Sequence, residues 1–245
     1  LTNDFIEILD VEHVEKVITS GRDWGAGMGQ RFYNYQPERC TWLITLNVLV
    51  CPRLENPIVL NKLTLMNDKV AWLLPGLVLV SLQRSGRGLA LLGQHIESLF
   101  TALHAEPAAW MDTLCTQDDL RKWLEQDSQG PVQAYVTEAM REECIMRRRR
   151  DGFTASLCYY RALVTGLMYE QDKELPVERY KVNVLYLFVA GMLDIVCRLQ
   201  GIERAMALGL TPNLTMKEVA AGHWCMLAKP KEIGEIFVKW LGDTY

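Results

Sequence analysis

Two kinds of apolar pattern alternate along this chain: stripes with a period near 3.6 residues and short unbroken runs. The chain opens with Phe5, Ile8, Leu9 and Val14 near helical spacing, with Asp4, Glu7, Asp10 and Glu12 between them, which predicts an amphipathic helix. Lys16-Val17-Ile18-Thr19-Ser20 reads as a short strand. Gly21 to Gly29 then reads as a sharp turn into a helix that runs to about Tyr35 and is stopped by Pro37. Leu43 to Val48 predicts a buried strand. From 51 to about 180 the chain is rich in Leu, Ala, Met, Trp and Gln, and helical patterns dominate, with helices expected over Leu89–Leu103 and Asp118–Leu124. The run Val184 to Val189 suits a strand buried on both faces. A helix over about Gln200–Leu208, ended by Gly209, and a strand over Leu214–Val219 follow. The last helix carries Ile233, Ile236, Phe237, Trp240 and Leu241 as one stripe.

Strands separated by helices predict an α/β fold with a parallel sheet of about four strands. Three segments result: 1–50 as the first part of the core, 51–180 as an inserted helical subdomain, and 181–245 as the second part of the core. In such sheets the site lies beyond the carboxyl ends of the strands.

Composition narrows the class. The 245 residues carry 26 Lys+Arg against 30 Asp+Glu, a formal charge of −4, with 49% hydrophobic residues, which describes a globular domain rather than a disordered chain. The mild negative balance gives no reason to expect nucleic acid as a partner. Arg147 to Arg150 is a basic run short enough to be a solvated helix face or loop. The longest apolar run, Val70 to Leu82, is interrupted by Pro75 and too short to span a bilayer. Seven cysteines without a CxxC pair or finger spacing read as reduced thiols of an intracellular, cytoplasmic protein. No metal or cofactor is expected.

Three polar residues follow strand ends. Asp23 lies in Gly21-x-Asp23-x-Gly25 between a strand and a helix, the form of a nucleophile elbow with Asp in place of Ser. Small residues suit such a turn because the helix packs close to the strand. Asp194 follows the third strand and His223 the fourth. Each alone reads as a turn, structural or surface residue. Together they have the order nucleophile, acid, base of a triad.

The elements Gly21-Arg22-Asp23-Trp24-Gly25-Ala26-Gly27, Gln30 to Cys40, Leu157-Cys158-Tyr159-Tyr160-Arg161, Phe188 to Asp194 and Gly222-His223-Trp224 resemble those of epoxide hydrolases and their dehalogenase relatives, over nearly the whole chain. The resemblance implies an α/β-hydrolase fold with a helical cap. It also implies a two-step reaction on a small apolar epoxide and water. Asp23 forms an ester, and His223, oriented by Asp194, activates the water that hydrolyses it. The backbone N–H of Trp24 would supply part of the oxyanion hole, and Tyr160 would protonate the epoxide oxygen, with Tyr159 as its competitor. A homodimer and a role in secondary metabolism stay open by the same analogy.

The chain departs from that pattern in three places. It has no His-Gly pair to supply the family's upstream oxyanion element, and by resemblance the first strands of an eight-stranded sheet are absent, leaving the strand before Asp23 as an open edge. No Tyr occurs between Tyr35 and Tyr135, where the first of two cap tyrosines would lie. Arg22 replaces a His before the nucleophile, and reads either as a side chain paired with a carboxylate or as a cation acting on Asp23. Three functions compete: an epoxide hydrolase, a haloalkane or haloacid dehalogenase, and a catalytically silent fragment or pseudoenzyme.

Overall fold

A computed structural model describes residues 2–58, 88–114, 119–196 and 200–244. Four parallel strands form one sheet: β1 (Val17–Arg22), β2 (Cys40–Leu46), β3 (Leu185–Gly191) and β4 (Leu214–Val219), in the order β1-β2-β3-β4. The register sets Arg22 beside Leu46, Leu46 beside Val189 and Gly191 beside Val219, so the carboxyl ends align along one rim. The fold class expected from the alternation of strands and helices is the one observed.

Helix α1 (Thr2–Val11) precedes β1, and α2 (Trp24–Tyr35) joins β1 to β2. Seven described helices lie between β2 and β3: α3 (Gly88–Gln94), α4 (Ile96–Leu103), α5 (Trp110–Thr113), α6 (Asp119–Glu125), α7 (Glu138–Asp151), α8 (Cys158–Val164) and α9 (Leu167–Asp172). Helix α10 (Gln200–Ala207) precedes β4, and α11 (Cys225–Ala228) and α12 (Pro230–Thr244) close the chain.

The continuous apolar strands are buried on both faces, as their sequence requires. Leu43, Tyr186 and Phe188 pack with Phe32 of α2 and Ala205 of α10. The alternate residues Trp42, Ile44, Leu187 and Val189 pack with Ile233 and Trp240 of α12. The helices between β2 and β3 have a core of their own, built from Leu92, Leu99, Trp110, Leu120 and Leu124. Val196 and Trp224, from the loops after β3 and β4, join that core and tie it to the sheet. β1 lies at one edge of the described sheet, its residues half-buried apart from exposed Ser20.

Some boundaries differ from the sequence reading. The helix expected over Leu89–Leu103 is two, because His95 leaves the helical conformation between them with ψ 41°; its ring there lies 3.0 Å from Asp127. The second strand ends at Leu46 rather than Val48, since Asn47 turns to φ 65°. The run Val70 to Leu82 lies outside the described residues. Among the described residues no helix is long and apolar enough to cross a membrane. Arg148, Arg149 and Arg150 lie in the last turn of α7, which ends at Asp151, where cations suit the helix dipole. Arg147 and Arg149 are spent on Glu143 and Glu97, and Arg150 on Asp151.

Candidate active site

Each strand end delivers one polar side chain to the shared rim. After β1 the chain turns at Asp23 with φ 52° and ψ −124°, a conformation that costs a non-glycine residue about 1–3 kcal/mol. Asp23 is the N-cap of α2, yet its side chain makes no capping bond. The carbonyl of Asp23 instead receives Ala26 N–H at 3.0 Å and Gly27 N–H at 3.2 Å. The carboxylate is therefore left over for chemistry, at the positive end of a helix. Gly21 makes this elbow possible. A Cβ there would collide with the Gly25 carbonyl and stand 2.6 Å from Ala26 N. A Cβ at Gly25 would meet no described atom within 4 Å beyond its chain neighbours and the backbone of its own helix, so the need for smallness rests on the first glycine of the pair.

After β3, Asp194 is buried, its side chain 1% exposed. Burial pushes its carboxyl pKa up, but hydrogen bonds from His223, Asn47 and the Val196 N–H outweigh that and hold it below the usual carboxylate range. As an ionised acceptor Asp194 requires the proton on His223 Nδ1, which lies 2.9 Å from its Oδ2. The other ring nitrogen, Nε2, stands 3.6 Å from Asp23 Oδ1. The order Asp23, imidazole, Asp194 is thus a line with one tight contact and one wider gap, beyond direct hydrogen bonding.

Asn47, after β2, was not singled out from the sequence. Its Nδ2 donates to Asp194 Oδ2, and it lies 3.3 Å from the Gly222 carbonyl and 3.4 Å from the His223 carbonyl. Burial pushes the Cys225 thiol up to about 11, so it stays protonated, and it donates to Asn47 Oδ1 at 3.0 Å. That bond fixes which way the amide faces. The signal available in the sequence was an amide inside an apolar run at the carboxyl end of a strand.

Trp24, the first residue of α2, lies under the helices. Its ring stacks on Tyr159 at 5.5 Å and meets Tyr160 edge-on at 4.8 Å. Both competing tyrosines, at the start of α8, therefore flank the elbow. Trp110 packs its ring 5.4 Å from that of His223, and its buried Nε1 has no hydrogen-bond partner among the described residues.

Arg22 reaches the loop that follows β4. Its guanidinium lies 4.2 Å from the centroid of the Trp224 ring, and its Nη1 donates to the His223 carbonyl at 3.1 Å. Trp224 also stacks on His104 at 5.0 Å and donates from Nε1 to the Leu103 carbonyl at 2.7 Å.

His104 is buried, and burial, with Arg22 adding to it, holds its imidazole pKa down to about 4 from an ordinary 6.5. An unfolded chain takes up this proton near the ordinary value, and the folded one only near the depressed one. Stability should therefore fall as pH drops through that interval, by about 1–2 kcal/mol once the water that reaches the ring is allowed for. Urea unfolding of the parent and of His104→Gln across this range checks it. A slope unchanged by the substitution would assign the acid sensitivity elsewhere.

The architecture has known counterparts. No protein-family profile matches the chain. Epoxide hydrolase A of Mycobacterium tuberculosis is 24% identical over 253 residues, spanning 98% of this chain and 73% of that protein. Epoxide hydrolase 2 of Siraitia grosvenorii is 23% identical, spanning 98% and 74%. A potato epoxide hydrolase variant superposes with a TM-score of 0.75 at 20% identity, over 99% of this chain and 75% of that one. The fold is that of the epoxide hydrolases. A crystal structure of epoxide hydrolase A from Mycobacterium thermoresistibile gives a TM-score of 0.73 at 21% identity, over 98% of this chain and 74% of that one. The epoxide-hydrolase fold supplies what the residue pattern demanded: parallel strands whose carboxyl ends gather an elbow, an acid and a base.

Proposed function

We propose that the chain is an epoxide hydrolase, with residues 1–50 and 181–245 as its core and 51–180 as a cap that shelters a small apolar epoxide. A cytoplasmic location belongs to this reading, and the five described cysteines are free thiols. The observation that carries the proposal is the line from Asp23 through His223 to Asp194, held at 3.6 and 2.9 Å.

In this reading the reaction has two steps. An Asp23 oxygen attacks a ring carbon, and the strained carbon–oxygen bond breaks. The oxygen leaves as an alkoxide and takes a proton from Tyr160, whose ring lies against Trp24. The product is an Asp23 ester. Water then attacks the acyl carbon, giving its proton to His223 Nε2, while Asp194 stabilises the imidazolium through Nδ1. The Trp24 N–H supports the oxyanion at the turn. The acyl–oxygen bond breaks, the departing alkoxide takes the proton of the new Asp23 carboxyl and leaves as the diol, and the imidazolium proton returns through water to Tyr160, so that Asp23, His223 and Tyr160 are all restored. The gap between Nε2 and Asp23 suits this task, because the base must serve a water and not the carboxylate itself. A carboxylate serves where a serine would fail, since an alkylated serine is an ether that water does not open.

The test is intact mass of the purified protein, quenched in a single turnover with styrene oxide. The parent should gain one substrate mass, and Asp23→Asn should gain none. Absence of an adduct from folded parent across several epoxides would overturn the proposal, and chloride release from a haloalkane would move the assignment to a dehalogenase.

A further inference from the structure

We propose that Arg22 is a positioning residue for the base: it clasps the His223-Trp224 loop over the rim of the sheet and so sets the second half of the reaction. This rests on the Asp23-ester reading above.

The topology creates the need. Asp23 follows β1 and His223 follows β4, and these strands are separated by β2 and β3. Neighbouring parallel strands lie about 4.8 Å apart. The loop after β4 must therefore run back over two strand ends before the imidazole can approach Asp23. Gly222 marks the tightness of that return, since a Cβ there would meet Pro107 Cγ at 2.5 Å.

Asp194 holds the imidazole and Asn47 lies beneath the loop, but both come from the two middle strands. Arg22 is the one of these groups that reaches the loop from the nucleophile's own strand. Its guanidinium caps one partner of the stacked Trp224–His104 pair, and its Nη1 engages the carbonyl of the base residue itself. A planar cation can stack on an indole and donate in its own plane at the same time. Because Arg22 is joined by a peptide bond to Asp23, the clasp measures the base's position from the nucleophile.

The role is separable from any effect on Asp23, because the base acts only on the ester. Arg22→Met should alkylate at a rate within about twofold of the parent, while ester hydrolysis slows about tenfold or more. Esterified protein then accumulates at steady state in intact-mass spectra. Arg22→Lys, which keeps a cation and a donor, should recover most of the hydrolysis rate. A loss of alkylation equal to the loss of hydrolysis, or a loss confined to alkylation, would overturn the proposal.

A second measurement works without any turnover. The His223 Nδ1 proton, held by Asp194, should give a far-downfield proton resonance in the parent. That signal should weaken or shift upfield in Arg22→Met and return in Arg22→Lys. An unchanged resonance in folded Arg22→Met would overturn the positioning role even if the protein opened no epoxide. A parent that shows the resonance and its loss but forms no ester would sustain the clasp and refute the epoxide reading alone. If Arg22→Met does not fold, Arg22→Gln carries both measurements, keeping the donor and removing the charge over the ring.

Discussion

His223→Gln should convert the protein into a trap. Alkylation needs the Asp23 carboxylate and an acid for the departing oxygen, and neither is supplied by the imidazole. Hydrolysis needs a base, and glutamine cannot accept the proton of water. The ester should form at close to the parent rate and then persist, with its breakdown slowed about 10²–10⁴-fold, the usual worth of a general base. Asp194 and Asn47 stay in place, so the variant should remain folded. Intact mass over time, with diol measured in the supernatant, distinguishes the phases. Undiminished diol production would remove His223 from the chemistry. The two unequal contacts of the ring make this outcome specific, since one nitrogen is engaged 2.9 Å from Asp194 and only the other faces the nucleophile.

The second large effect is on the fold. Gly21→Ala should cost about 3 kcal/mol or more of stability and take activity with it. The atoms a new Cβ would strike are the Gly25 carbonyl and the Ala26 nitrogen, all main chain, so no side chain can rotate away. Relief requires the first turn of α2 to lift from β1, which moves Asp23 as well. Gly25→Ala is the matched control: beyond its chain neighbours and its own helix backbone no described atom lies within 4 Å of its Cβ, and alanine favours helix over glycine by about 0.8–1 kcal/mol. Urea unfolding of the pair should show a large loss for Gly21→Ala and little change for Gly25→Ala. Equal tolerance at both positions would disprove the close approach at the elbow.

The elements that set this outcome differ in how far the sequence exposed them. The strand over Leu185–Gly191 was legible because Val184 to Val189 is an unbroken apolar run, and the helix end at Tyr35 because Pro37 follows it. So were Asp23, Asp194 and His223, because small flanking residues and strand ends mark them. Asn47 was hidden inside the strand expected over Leu43–Val48, because its role depends on the backbone turning at that residue. Arg22 was legible as unusual but not as to its target. A side chain that long can reach several partners, and only the return of the β4 loop decides between them. The break at His95 was unreadable for a similar reason: the ring contact His95 makes there is to Asp127, distant in sequence.

The strained turn at Asp23 gives a way to read lineages. Left to stability alone, a residue at φ 52° and ψ −124° drifts toward glycine, which adopts that conformation without penalty. Gly21 is under the opposite pressure, because the contact it permits belongs to the architecture and not to the reaction. In descendants of this chain, glycine at 21 would report only that the fold endures. Aspartate retained at 23 would report continuing selection for the chemistry, since the fold alone works against keeping it.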